Sequence, residues 1–95
     1  MPPPALTDAT AVSRHPNAVV GALPAETILL RVDTGTTLRL NTTGAWIWEQ
    51  LSGPRDLGEL TARLATHYSI DEGTAADDVR RFVSDLARRE FLLLD

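Results

Sequence analysis

Ninety-five residues, 43% of them apolar, support one compact core and are too few for a deep substrate cleft between two lobes. No cysteine is present, which removes disulfides, thiolate metal sites and thiol nucleophiles together and suits a reducing cytoplasm. Nine basic against thirteen acidic side chains give a net charge of −4, so the overall field repels phosphate backbones and does not favour anionic membranes, which makes nucleic acid a disfavoured partner.

The opening Met1-Pro2-Pro3-Pro4 lacks the basic patch and apolar run of a secretory signal, and no window approaches the roughly 18 apolar residues of a membrane span. The expectation is a soluble, uncleaved, cytoplasmic chain. Residues 1–16, rich in Pro, Ala, Thr and Asp and without hydrophobic period, read as a flexible N-terminal tail outside the core, with the folded domain over 17–95.

Ala18 to Leu23 is β-prone through Val19 and Val20 and is closed by Pro24. Thr27 to Val32 then alternates Ile28, Leu30 and Val32 against Leu29 and Arg31, a second strand. Asp33-Thr34-Gly35 supplies a turn with Gly35 free to take positive φ, and Thr36 to Leu40 follows with Leu38 and Leu40 on one face. Together these predict a three-stranded meander.

The rest reads as helix. Asn41 or Thr42 caps a first helix carrying Gly44, Ile47, Trp48 and Leu51 at helical spacing, which Ser52-Gly53-Pro54 stops. Asp56 and Glu59 form a capping-box pattern for a second, whose buried stripe is Leu57, Leu60, Leu64 and Tyr68. Asp71 and Glu72 suit the N-terminus of a third, which turns Ala75, Val79, Phe82, Val83 and Leu86 inward and ends near Arg88 and Arg89. Phe91 to Leu94 is too apolar to float free and packs back on the core. Three strands followed by three helices exclude a doubly wound sheet and predict an α+β fold with one small lone sheet. Such a meander leaves two edges unpaired, and the short Thr36–Leu40 strand, guarded from aggregation by Arg39, keeps its main chain available for an extended peptide.

Catalytic and metal chemistry finds little support. His15 and His67 lie far apart in sequence and are not spaced as a ligand pair. The hydroxyls between Thr34 and Thr43 have no nucleophile elbow and no base. Gly53 and Gly58 make no phosphate loop, and the chain has no lysine to serve one. Asp71, Glu72, Asp77, Asp78 and Asp85 are explained by helix polarity and solvation, with Asp78 kept as a possible polar contact for a ligand. The expectation is a chain that is not an enzyme and takes no cofactor or metal. Trp46 and Trp48 stand two residues apart on a helix and point about 200° from one another. Trp48 joins the buried stripe, and Trp46 is left outside, either covered by the tail or free as a partner contact.

The run from Leu40 through Asn41-Thr42-Thr43-Gly44-Ala45-Trp46-Ile47-Trp48-Glu49-Gln50 to Leu51, then Gly53-Pro54-Arg55, Glu59-Leu60 and Leu64, resembles the PqqD family. So does Asp78-Val79 with Phe82 and Leu86 ahead of a short apolar tail. The resemblance covers about residues 17–94 and marks 17–95 as a PqqD-like peptide-recognition domain. It implies a winged-helix-like fold of three antiparallel strands followed by three helices, which binds the leader of a ribosomally made, later modified precursor peptide as an added strand. Carried over, it places that peptide on the main chain of Thr36, Thr37, Leu38, Arg39 and Leu40, with Asp78, Val79, Phe82 and Leu86 lining the groove beside it. The chain most resembles the stand-alone recognition proteins of lasso-peptide biosynthesis, which implies a leader peptidase and a macrolactam cyclase as partners. An alternative client is a radical enzyme, as in pyrroloquinoline quinone synthesis. Family members often carry glycine just beyond the third helix, where this chain has Glu90-Phe91, so the helix end is the least determined feature. A winged-helix DNA-binding protein is the remaining rival, and the acidic first half of the third helix opposes it.

Overall fold

The computed structural model describes residues 6–23 and 26–95. The elements in order are β1 Ala11–Arg14, β2 Ala18–Leu23, β3 Glu26–Arg31, β4 Thr37–Leu40, α1 Thr42–Gln50, β5 Arg55–Asp56, α2 Leu57–Tyr68, α3 Glu72–Arg88 and β6 Leu92–Leu94. Pro24, expected to close the Ala18–Leu23 strand, and the first five residues of the expected tail lie outside the described residues.

The expected meander is present as an antiparallel sheet in the order β2-β3-β4. The turn after β3 closes as Gly35, at φ 77°, donates its N–H to the Arg31 carbonyl over 2.7 Å. Leu29 pairs across the ladder with Leu38, and Thr27 with Leu40, so Leu29, Leu38 and Leu40 share the face turned to the helices. Ile28, Leu30 and Val32 take the other face, where Val32 is largely exposed.

A second three-stranded sheet, order β5-β1-β6, was not expected, and it corrects part of the expected tail: Ala11–Arg14 form a strand that carries Val12 into the core. Val12 in β1 is 0% exposed, and β1 pairs antiparallel with both neighbours. These strands have four, two and three residues. One buried valine makes no period, so the alternation that reveals longer strands is missing. The apolar run at the C-terminal side packs on the core as expected, through Phe91 and Leu92.

Each helix starts where its capping residue stands. Asn41, Asp56 and Asp71 accept the N–H of the residue three further on, Gly44, Glu59 and Thr74, over 2.7, 2.7 and 2.8 Å. Only half of the capping box forms, because the Glu59 carboxylate turns to Arg55 at 3.1 Å. Tyr68, expected in the buried stripe, is exposed. It is the last residue of α2, and Ser69 in the left-handed region, φ 53°, redirects the chain so that Ile70 packs against the core in its place.

The end of α3 is a complete Schellman motif. Phe91 N–H reaches the Leu86 carbonyl at 2.8 Å, Glu90 N–H reaches Ala87 at 3.0 Å, and Glu90 takes φ 65°. Glutamate thus occupies the left-handed position that glycine fills most cheaply, and the helix ends there as it would with glycine. The architecture is α+β and winged-helix-like, a three-stranded antiparallel sheet followed by three helices, with the second small sheet tying β1 to β5 and β6.

Candidate functional site

The outer side of β4 is open: among the described residues no strand pairs with it. Which main-chain groups it offers follows from the register. Arg31 N–H donates to the Thr36 carbonyl over 2.9 Å, and Leu29 and Thr27 stand opposite Leu38 and Leu40. Bonded and non-bonded pairs alternate in an antiparallel ladder. Leu38 and Leu40 therefore spend their main-chain groups on β3, as Thr36 does its carbonyl while its N–H donates to Thr34 Oγ1 at 3.3 Å, and Thr37 and Arg39 turn N–H and C=O to the open side. Above this edge the Arg39 guanidinium is exposed and pairs with Glu26 at 3.1 Å.

At Leu40 the edge runs directly into α1, and a groove of about 530 Å³ lies between the first turns of that helix and α3. Asn41, Thr43, Gly44 and Ile47 form one wall; Asp78, Arg81, Phe82, Asp85 and Arg88 stand on the other. The walls approach closely because residue 44 has no side chain. A β-carbon there would stand 3.0 Å from Phe82 Cε2, so glycine lets the ring lie across the start of α1. The rim is polar and balanced. Asp85 accepts from Arg88 at 2.9 Å and Arg89 at 3.1 Å, and these bonds hold its carboxyl below the usual carboxylate range. Asp78 faces Arg81 at 3.9 Å.

The structure separates the residues expected at this site. Thr37, Leu38, Arg39 and Leu40 make up β4, and Thr36 ends the turn before it. Asp78 and Phe82 line the groove. Val79 and Leu86, at 0% and 2% exposure, lie in the core and support the groove from behind. Sequence reading missed Gly44 and Ile47 on α1 and Arg81, Asp85 and Arg88 on α3. A signal for them existed: positions 78, 81, 82, 85 and 88 follow helical spacing along one face of α3, and a glycine inside a helix marks a close approach.

Trp48 is in the core at 1% exposure, as expected, with the Arg14 guanidinium 4.8 Å from its ring centre. Trp46 is half-buried. What lies on it is His67, stacked at 4.7 Å and 20° between planes, with Tyr68 edge-on at 6.0 Å. His15 accepts the Asn17 N–H on Nδ1 at 3.0 Å. Among the described residues no three His, Cys, Asp or Glu side chains are grouped as metal ligands, and no helix is long and apolar enough to cross a membrane.

Comparison with known proteins gives the edge and the groove a context. A solved structure described as TbiB1 in complex with the TbiA(beta) leader peptide is 30% identical and superposes with a TM-score of 0.76, over 84% of this chain and 93% of that one. A second, described as lasso peptide synthetase B1 complexed with the leader peptide, is 23% identical, with a TM-score of 0.75 over 86% and 96%, and shares the fold. No curated protein sequence matches. The family described as coenzyme PQQ synthesis protein D (PqqD) matches residues 26–92, from the start of β3 into β6. The chain belongs to the PqqD family.

Proposed function

We propose that this chain binds the leader segment of a ribosomally synthesised precursor peptide as a fourth strand on β4 and delivers it to a leader peptidase and a macrolactam cyclase in lasso-peptide maturation. The observation that carries the reading is the pair Thr37 and Arg39, whose N–H and C=O groups face an open edge beside an apolar groove floored by Gly44, Ile47 and Phe82. The leader peptide bound in the TbiB1 structure, at 30% identity, supports a leader as the ligand.

The energetics are those of a docking module. Strand hydrogen bonds replace bonds to water and contribute modestly, about 1 kcal/mol each. Two or three apolar anchors, at about 1.5–3 kcal/mol apiece, must offset the ordering of the peptide. Dissociation constants from about tens of nanomolar to micromolar follow. Holding the leader raises the effective concentration of the attached substrate segment at an enzyme, so the chain needs no catalytic group of its own. The absence of cysteine suits work in a reducing cytoplasm.

The alternative client, a radical enzyme of the pyrroloquinoline quinone type, uses the same groove. Neighbouring genes separate the two, a peptidase with a cyclase favouring the first and a radical enzyme the second. Binding itself is tested by calorimetry with a synthetic leader from the adjacent precursor gene. Phe82→Ala is expected to weaken it tenfold or more for a small loss of thermal stability. Absence of saturable binding by the unaltered protein would sink the reading.

A further inference from the structure

We infer that Arg31 is a positioning residue, a latch that fixes the spacing between the β2–β3–β4 sheet and α3 and thereby how the open β4 edge sits relative to the α3 wall of the groove. This rests on the proposed peptide reading for its functional half and on geometry for the rest.

Arg31 is the one charged side chain buried among the described residues, at 5% exposure. It lies at the end of β3 on the face turned to the helices. Its Nε and Nη2 donate to the two carboxylate oxygens of Asp33 at 2.9 and 2.6 Å, a two-pronged grip on the β3–β4 turn. Nη1 donates at 2.6 Å to the Glu90 carbonyl just past α3. The main chain of the same residue closes the turn, donating to Thr36 and accepting from Gly35. One residue thus grips the hairpin that carries the open edge and holds that hairpin to the helix forming the far wall of the groove.

Two further features favour a geometric role over simple stability. Burying a guanidinium is costly, and an apolar side chain of similar length commonly fills such a place at no loss of stability. The carbonyl that Nη1 holds belongs to Glu90, whose left-handed backbone aims it at the sheet although the residue is not glycine.

The test uses the natural absence of cysteine. Spin labels at Val19→Cys and Asp77→Cys, both exposed and both away from the groove, report the sheet-to-helix distance by pulsed electron resonance. With Arg31 present, one narrow distribution is expected. Arg31→Met should broaden it and weaken binding of the synthetic leader at least tenfold, with a thermal midpoint within a few degrees of the parent. If Arg31→Met does not fold, Arg31→Lys replaces it, since an ammonium keeps the charge but cannot grip Asp33 with two prongs while reaching Glu90. An unchanged distribution overturns the inference, and so does a leader affinity within twofold of the parent or a loss of binding that merely tracks a collapse in stability. Should the parent bind no leader at all, the peptide reading fails by itself, and the distance measurement still decides whether Arg31 sets the spacing.

Discussion

Phe82 lies over Gly44 so closely that a single added methyl group would meet its Cε2 at 3.0 Å and the capping Asn41 Oδ1 at 3.2 Å. Gly44→Ala is therefore a test of the groove floor. Alanine favours the helix by about 1 kcal/mol, and displacement of the ring and the cap offsets that gain, so stability should change by less than about 1 kcal/mol. Leader affinity should fall about threefold to tenfold as Phe82 is pushed into the groove. Calorimetry beside thermal melts reads both, and an unaltered affinity would place the peptide elsewhere.

Proline along β4 distinguishes the two sides of the strand. Thr37→Pro and Arg39→Pro remove donors that face the open edge, and each should abolish leader binding at a stability cost of about 1 kcal/mol or less. Leu38→Pro removes a donor spent on β3 and disturbs a side chain packed against the core, so it should cost about 3 kcal/mol. Denaturant melts that rank Leu38→Pro as mild and Thr37→Pro as severe would invert the assignment of inward and outward groups.

Acid stability follows from three aspartates. Arg31 lowers the Asp33 pKa by hydrogen bonding, the Thr74 N–H does so for Asp71, and Arg88 then Arg89 for Asp85. A carboxyl lowered by folding adds stability in full above its ordinary value, 3.8, and the gain is lost as pH falls from there through the lowered value. Thermal midpoints should show no loss from these groups between about pH 6 and pH 4 and decline below. Asp33→Asn should make that decline shallower; an identical slope would show the Arg31 bond to be weak in solution.

Glu90→Gly addresses the left-handed turn at the end of α3. An L-residue there costs about 1 kcal/mol, and the greater freedom of glycine when unfolded takes back about half. The Glu90 carboxylate, 3.7 Å from Arg31 and exposed, contributes little. The variant should melt about 2–4 °C higher, with the Arg31 contact to the main-chain carbonyl kept. A lower melting point would mean that the carboxylate matters more than the backbone.

Much of the architecture was legible because local chemistry announces it. Asn41, Asp56 and Asp71 each precede an apolar stripe, and each caps a helix; Gly35 stands where a turn needs positive φ. The open β4 edge was legible too, from its place as the last strand of a meander. Three features depended on packing that no local pattern encodes. The β1 sheet is built from pieces too short to show a period. Val79 and Leu86 lie on the buried side of the groove's far wall, each one residue on from a groove-lining aspartate, Asp78 and Asp85. The burial of Arg31 depends on Asp33 and Glu90 meeting it, and Glu90 is 59 residues away.

In the β1 sheet, Ala11 and Asp95 exchange main-chain hydrogen bonds at 3.2 and 2.9 Å, and β1 finds its long partner only in β6. During synthesis the intervening strands and helices emerge before β6 does, so Val12 waits for that neighbour. A nascent chain is therefore an unlocked domain. The β1 sheet closes only after Leu92–Leu94 have emerged, behind every other element of the fold.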